Sequence, residues 1–168
     1  MNDKQINMQT ILITGANGFV GQNLQLHLSE RKGLQVRCFT RANTVAELPA
    51  LLDGVDFVIH LAGVNRPQAP AELATGNTDL TQALATAVAD VALRTGKKVP
   101  VVYTSSTQAE RDNPYGQSKR AAEDALFTLQ RAHGVPVHVF RLPNVFGKWC
   151  KPNYNSAVAT FCHHIARD

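Results

Sequence analysis

The chain has 168 residues, 44% hydrophobic and 18% charged, with a formal net charge of +4. That balance suits one soluble globular domain with its own core. It excludes a membrane-spanning run, a signal-peptide pattern and a basic nucleic-acid surface, although the mild positive bias suits a phosphate-bearing ligand.

The polar leader "MNDKQIN" precedes a second methionine, Met8. Residues 1–9 are expected to be a disordered leader or to reflect an early start codon. "TILIT" (10–14) is predicted to be a strand buried on both faces. A helix follows from about Phe19 to Lys32, with Val20, Leu24 and Leu28 on one stripe. "QVRCFT" (35–40) is a second strand, and "TVAELPALLD" is a short helical turn or loop. "DFVIHLAG" (56–63) is a third strand ending in small residues. A helix over 79–96 puts Leu80, Leu84, Ala87 and Val91 on one face and closes at Gly96. "KVPVVYTSS" (98–106) is the fourth strand. "NPYGQSK" (113–119) opens a helix at Pro114 that runs to about His133, with Gly134 as cap. "VHVFRL" (137–142) is a strand, and "NSAVATFCHHIARD" begins a last helix. Strands alternating with helices predict an α/β fold with a doubly wound parallel sheet, a Rossmann fold over 10–168. Cys38, Cys150 and Cys162 match no metal or redox spacing and read as reduced thiols of a cytoplasmic protein.

"TGANGFVG" (14–21) joins the first strand to the first helix and spaces Gly15, Gly18 and Gly21 three apart. A tight turn, close approach to a pyrophosphate and close helix–strand packing each favour glycine. The helix N-terminus then offers N–H groups to the phosphates. A dinucleotide-binding fold often places an acid on the ribose about 20 residues further on. Here Thr40-Arg41 stands instead, which predicts NADP(H) in preference to NAD(H).

Tyr115 and Lys119 are four apart, so they share a helix face. Strand ends "HLAG" (60–63) and "YTSS" (103–106) reach the same crevice in a doubly wound sheet. An ammonium could acidify the phenol there. Moving a tyrosine from its usual pKa near ~10 to about 7 takes about 4 kcal/mol. The rival bases His60, His163 and His164 read as structural.

"TGANGFVG", "HLAG", Asn77 at a helix start, "TSS", "YGQSK" and "RLPNVFG" occur in the order of a known family. The chain resembles an extended short-chain dehydrogenase/reductase of the nucleotide-sugar epimerase/dehydratase type. The resemblance implies that Tyr115 is the general acid/base and that Lys119 lowers its pKa and holds the nicotinamide ribose. Ser106 would bond the reacting oxygen, with Ser105 its nearest rival and a cofactor contact. It also implies cofactor contacts at Gly15, Asn17, Gly18, Phe19, Val20 and Gly21. Leu61, Ala62 and Gly63 would add to them from the third strand end, and Arg41, Asn77 and Pro143 from elsewhere.

"HLAGVNRP", "QAERDNPYG" and "FGKWCKPNYNSAVATFCHHIAR" narrow the resemblance to reductases of capsular polysaccharide synthesis. Those reduce the 4-keto group of a UDP-linked 6-deoxy-N-acetylhexosamine with NADPH. Asn144, Lys148, Trp149, Asn153 and Asn155 would then lie near the nucleotide-sugar substrate. The alternatives are a nucleotide-sugar 4-epimerase or 4,6-dehydratase, or a non-catalytic cofactor-binding fragment. Thr107-Gln108 supplies no acid/base pair for a dehydratase. Relatives continue with a substrate subdomain and a cupin, so the chain alone is expected to turn over little. Relatives also dimerise through the two long helices, and Ala122, Leu126 and Leu129 could supply contacts for a homodimer.

Overall fold

A computed structural model describes residues 8–69 and 71–167. Of the expected leader, residues 1–7 lie outside the described ones, and Gln9 already belongs to the first strand. Five strands form one parallel sheet in the order β2-β1-β3-β4-β5. They are β1 (Gln9–Thr14), β2 (Leu34–Phe39), β3 (Phe57–His60), β4 (Val101–Ser106) and β5 (Val137–Leu142). The chain steps outward from β1 to β2, then crosses to β3 on the other side. That reversal leaves a crevice beyond the strand C-termini, between β1 and β3.

β1 is buried on both faces, as its uninterrupted apolar run predicts. Leu12 joins the larger core, with Val58, Val88, Tyr103 and Leu126. Ile11 and Ile13 face the opposite way, where Leu24 and Leu28 of α1 (Phe19–Ser29) cover them. The larger core lies under α2 (Leu48–Leu52), α4 (Leu80–Thr95) and α5 (Pro114–His133).

Several boundaries shift for local reasons. α1 stops at Ser29 rather than Lys32, and a turn through Gly33, at φ +79°, starts β2. β3 ends at His60, because residues 61–63 leave the ladder to pass over the β1 loop. β4 begins only after Pro100, which has no N–H to give the ladder. The helix expected from Asp79 begins earlier, with α3 (Ala71–Leu73) and a π-helical turn over Ala74–Asp79. That turn, "ATGNTD", has no apolar stripe, so periodicity does not reveal it.

α5 runs from Pro114 to His133, as predicted. The Asn113 side chain accepts from Gly116 N at 2.8 Å, Pro114 takes the first position, and Gly134 closes it at φ +64°. Ala122, Leu126 and Leu129 are buried in the core of their own chain, so these three are not free to build a homodimer. α6 (Ala157–Ile165) follows a loop capped by Ser156.

Candidate active site

The loop after β1 is shaped by steric necessity. Gly15 sits at φ +70°, and a methyl group there would lie 2.7 Å from Ala62 N. At Gly21 a methyl group would press on the Gly15 carbonyl and lie 2.7 Å from Ala16 O. The loop, β3 end and α1 therefore nest at backbone contact. Gly18 caps α1 without a side chain, and no acid stands in the first turn. The N–H groups of Phe19, Val20 and Gly21 thus form an uncapped donor set with a partial positive charge. Asn17 is exposed, and its carbonyl accepts from Gln22 Nε2 at 2.8 Å. These residues fit a dinucleotide pyrophosphate.

Leu61, Ala62 and Gly63 border that loop. Leu61 N donates to Thr14 O at 3.1 Å and Ala62 N to Thr14 Oγ1 at 3.2 Å. A methyl on Gly63 would lie 3.5 Å from Lys119 Nζ and 2.9 Å from Asn77 Oδ1. The β3 end, the π-helical turn and α5 therefore converge beside the cradle. Asn77 is 1% exposed; its side chain accepts from Val64 N and donates to Val64 O and Ser118 Oγ. Its expected place at a helix start is corrected. It lies inside a helical run, and its amide clamps the loop after β3.

Lys119 is 5% exposed. Its Nζ donates to Thr104 O at 2.9 Å and lies 4.5 Å above the Tyr103 ring. Burial pushes the ammonium down to about 8, against the attraction of Glu123. Burial raises the half-buried Tyr115 phenol, and a hydrogen bond with Ser106 offsets this in part. The lysine head lies towards Thr104 O and the Tyr103 ring.

Adjacent serines on β4 face opposite ways. Ser105 is buried and donates to Glu123 Oε1 at 2.5 Å, so its hydroxyl is engaged away from the crevice. Ser106 is the serine beside Tyr115; its Oγ also accepts from Gln108 N at 3.2 Å. His60 is held between Thr14 Oγ1 at 2.6 Å and Thr81 Oγ1 at 2.8 Å, and stacks on Tyr103. Burial pushes it down to about 3, so it is neutral and structural.

Arg41 is exposed just after β2 and has no carboxylate partner among the described residues. It lines a cleft of about 540 Å³ with Gly63, Arg66 and Tyr154. Pro143 is exposed just after β5. The segment beyond it turns back on α1. Lys148 O accepts from Asn23 Nδ2 at 2.8 Å, and the Lys148 ammonium lies 4.5 Å over the Trp149 ring. Asn144 Nδ2 donates to Asn155 O at 2.9 Å. Asn153 and Asn155 line a second cleft of about 520 Å³ with Arg66, Tyr154, Thr160 and Phe161. The sequence reading passed over Arg66 and Tyr154, although the guanidinium lies 5.2 Å from the Tyr154 ring centroid. The basic residue in "VNRP" and the aromatic one in "PNYN" were the available signals.

The buried ammonium predicts a pH effect on stability. Lys119 titrates at about 8 folded and near its ordinary value of 10.5 unfolded. Between these values the unfolded chain binds more protons, so this contribution to stability rises with pH. The cost of burying the charge is fully present below about pH 8. The shift corresponds to about 3 kcal/mol. In urea unfolding, Lys119→Met should gain about that much on the parent as pH falls from 10.5 to 7. A flat difference across that window would show that the folded lysine is unshifted.

Comparison with known proteins places this geometry. The NAD dependent epimerase/dehydratase family matches residues 11–168. The chain is 60% identical over 158 residues to UDP-2-acetamido-2,6-beta-L-arabino-hexul-4-ose reductase of Pseudomonas aeruginosa, covering 94% of this chain and 41% of the relative. It is 43% identical to the crystal structure of capsular polysaccharide assembling protein CapF from Staphylococcus aureus, with a TM-score of 0.74, covering 94% of this chain and 42% of that one. A UDP-glucuronic acid 4-epimerase from Bacillus cereus, solved with UDP-glucuronic acid and NAD, has a TM-score of 0.75 at 20% identity and shares the fold. That match covers 86% of this chain and 60% of the epimerase. The chain thus spans about two fifths of the length of the reductase and of CapF. By fold, by glycine cradle and by a match over nearly its whole length, the chain belongs to the NAD dependent epimerase/dehydratase family.

Proposed function

We propose that this chain carries the cofactor-binding part of an NADPH-dependent reductase. Its substrate is the 4-keto group of a UDP-linked 6-deoxy-N-acetylhexosamine, in the making of a surface polysaccharide precursor. The observation that supports the reading is that Ser106 lies beside Tyr115 while Lys119, one turn on along α5, brings its Nζ close to Gly63 at the edge of the glycine loop. The substrate class follows the reductase that is 60% identical.

When bound, the nicotinamide supplies a hydride to the carbonyl carbon. Tyr115 gives its phenolic proton to the oxygen, which stays on that carbon as the product's hydroxyl, and solvent restores the proton. A phenol raised by burial keeps that proton at neutral pH until a strongly basic oxygen develops, which suits the acid role in reduction. Ser106 bonds and orients the same oxygen. Lys119 stabilises the phenolate as it forms and holds the ribose hydroxyls. The dehydratase alternative needs an acid just after Ser106; the nearest one, Glu110, is paired with Arg141 at 2.7 Å. Asn144, Lys148, Trp149, Asn153 and Asn155 bound the side from which the sugar nucleotide enters. Three unpaired cysteines suit a reducing compartment, and we place the protein in the cytoplasm. Among the described residues no helix is long and apolar enough to cross a membrane.

The test is NADPH oxidation with the UDP-linked 4-keto sugar, in a protein of the curated relative's full length. No oxidation, with cofactor bound, would overturn the reading. Cofactor preference is tested on this chain by fluorescence titration. Arg41 is expected to favour NADPH over NADH by about 10–100-fold, the worth of one charge-assisted contact at roughly 1.5–3 kcal/mol. Arg41→Ala should remove most of that preference. An unchanged ratio would take the 2′-phosphate away from Arg41.

A further inference from the structure

His60 takes no proton, yet it is fully buried where several parts of the site meet. Thr14 and His60 are register partners at the ends of β1 and β3, and Thr14 leads directly into the glycine loop. α4 reaches the imidazole through Thr81. From β4 the Tyr103 ring stacks on it, with centroids 5.1 Å apart, and the same ring lies 4.5 Å from Lys119 Nζ.

The hydroxyls on either side fix which ring nitrogen carries the proton. Thr81 Oγ1 donates its one hydrogen to Asn77 O at 2.5 Å, so towards His60 Nε2, at 2.8 Å, it can only accept. Nε2 is therefore protonated, and Nδ1 of the neutral ring is an acceptor. It takes the Thr14 hydroxyl hydrogen at 2.6 Å, and Thr14 Oγ1 accepts from Ala62 N at 3.2 Å. The series continues at its far end. Asn77 Nδ2 donates to Ser118 Oγ at 2.9 Å, and Ser118 Oγ donates to the Tyr115 carbonyl at 2.8 Å. Thr14, His60, Thr81, Asn77 and Ser118 are all buried. A line of hydrogen bonds thus runs from Ala62, beside Gly15, to the backbone of Tyr115. Packing alone does not ask for it, since Leu12, Val58 and Val88 fill the neighbouring core with apolar side chains. Each hydroxyl has one hydrogen, so no member can turn without leaving a buried neighbour unpaired.

We propose that His60 is a positioning residue: held as its Nε2–H tautomer between Thr14 and Thr81, it fixes the dinucleotide cradle against the Tyr115 end of α5. The proposal rests on reading Tyr115 as the proton donor to a substrate beside the bound dinucleotide.

The experiment is NMR of the imidazole nitrogens in this chain with isotope-labelled histidine, joined to calorimetric titration with NADPH. The His60 signals are assigned by their loss in His60→Phe. In the parent, Nε2 should be protonated and Nδ1 bare; the reverse would overturn the proposal. Thr81→Val keeps the shape but removes the acceptor of the Nε2 proton. That proton should move to Nδ1, disturb the Thr14 hydroxyl and weaken NADPH binding about tenfold, the order of one buried hydrogen bond. Thr81→Ser keeps the hydroxyl and should behave as the parent. Thr14→Val cuts the line at its cradle end, with a similar loss. Both variants act through one imidazole, so the double variant should also lose about tenfold. Two unrelated packing defects would instead multiply to about a hundredfold. A merely structural role would lower stability in urea and leave affinity unmoved. Unmoved affinity in Thr81→Val, or losses that multiply, would overturn the proposal. If Thr81→Val does not fold, the parent decides. NADPH bound at the cradle should then shift the Nε2 signal as well as the Nδ1 signal, and a silent Nε2 overturns the coupling. No step needs the sugar substrate. The expected pattern in a chain that fails as a reductase would keep the coupling and sink the function; a working reductase without it would do the reverse.

Discussion

Tyr115→Phe is expected to lower carbonyl reduction by about 10²–10⁴-fold while leaving dinucleotide binding nearly unchanged. The phenylalanine keeps the ring, so packing at the start of α5 is preserved. Only the hydroxyl that meets Ser106 is lost. The new hydroxyl of the product would then have to draw its proton from water in a site that does not position one. Because the phenol acts on charge that develops in the transition state, the loss should fall on kcat with KM little changed. Single-turnover measurements in a protein of the curated relative's full length would separate the chemical step from product release. Near-normal turnover by the variant would remove the phenol from the mechanism. A large rise in KM at constant kcat would instead make Tyr115 a binding group.

Much of this site is legible in the sequence because its parts are local. Asn113, Pro114 and Gly134 carry capping chemistry within a few residues, so the bounds of α5 can be read directly. Once the helix is placed, the four-residue spacing puts Tyr115 and Lys119 on one face. The glycine loop is legible for the same reason: a short strand, three glycines and a helix lie in unbroken order.

What the sequence hides depends on partners far along the chain. Glu123 looks like an ordinary exposed helix carboxylate. Its burial follows from Arg141, 18 positions on, arriving on a neighbouring strand. The choice between Ser105 and Ser106 turns on a single residue of strand register, and Tyr103 and Ser105 share the buried face. Asn77 misleads because its amide serves Val64 and Ser118, contacts of 13 and 41 residues' separation. The lysine's hydrogen bond is hidden for a related reason. Spacing sets which side chains share a face but not which acceptor wins the ammonium, and here Thr104 O does.

Gly21→Ala should weaken dinucleotide binding by roughly 100-fold, the worth of two charge-assisted hydrogen bonds at ~1.5 kcal/mol each. The added methyl would collide with the Gly15 carbonyl and lie 2.7 Å from Ala16 O and 2.8 Å from Ala16 Cα. All three are backbone atoms, so no rotamer change can relieve them. Either α1 withdraws from the loop or the loop moves. In both cases the N–H groups of Phe19, Val20 and Gly21 no longer converge where a pyrophosphate would sit. Overpacking of this kind also costs about 1–3 kcal/mol of stability. A control separates that cost from the loss of the cradle. Gly54 has φ +70° but open space around its missing side chain. Gly54→Ala is therefore expected to cost about 1 kcal/mol through its backbone alone and to leave binding intact. Calorimetric titration with NADPH and urea unfolding of both variants give the comparison. If Gly21→Ala binds as tightly as the parent while Gly54→Ala shows its expected small loss of stability, the cofactor phosphates are not held at the start of α1.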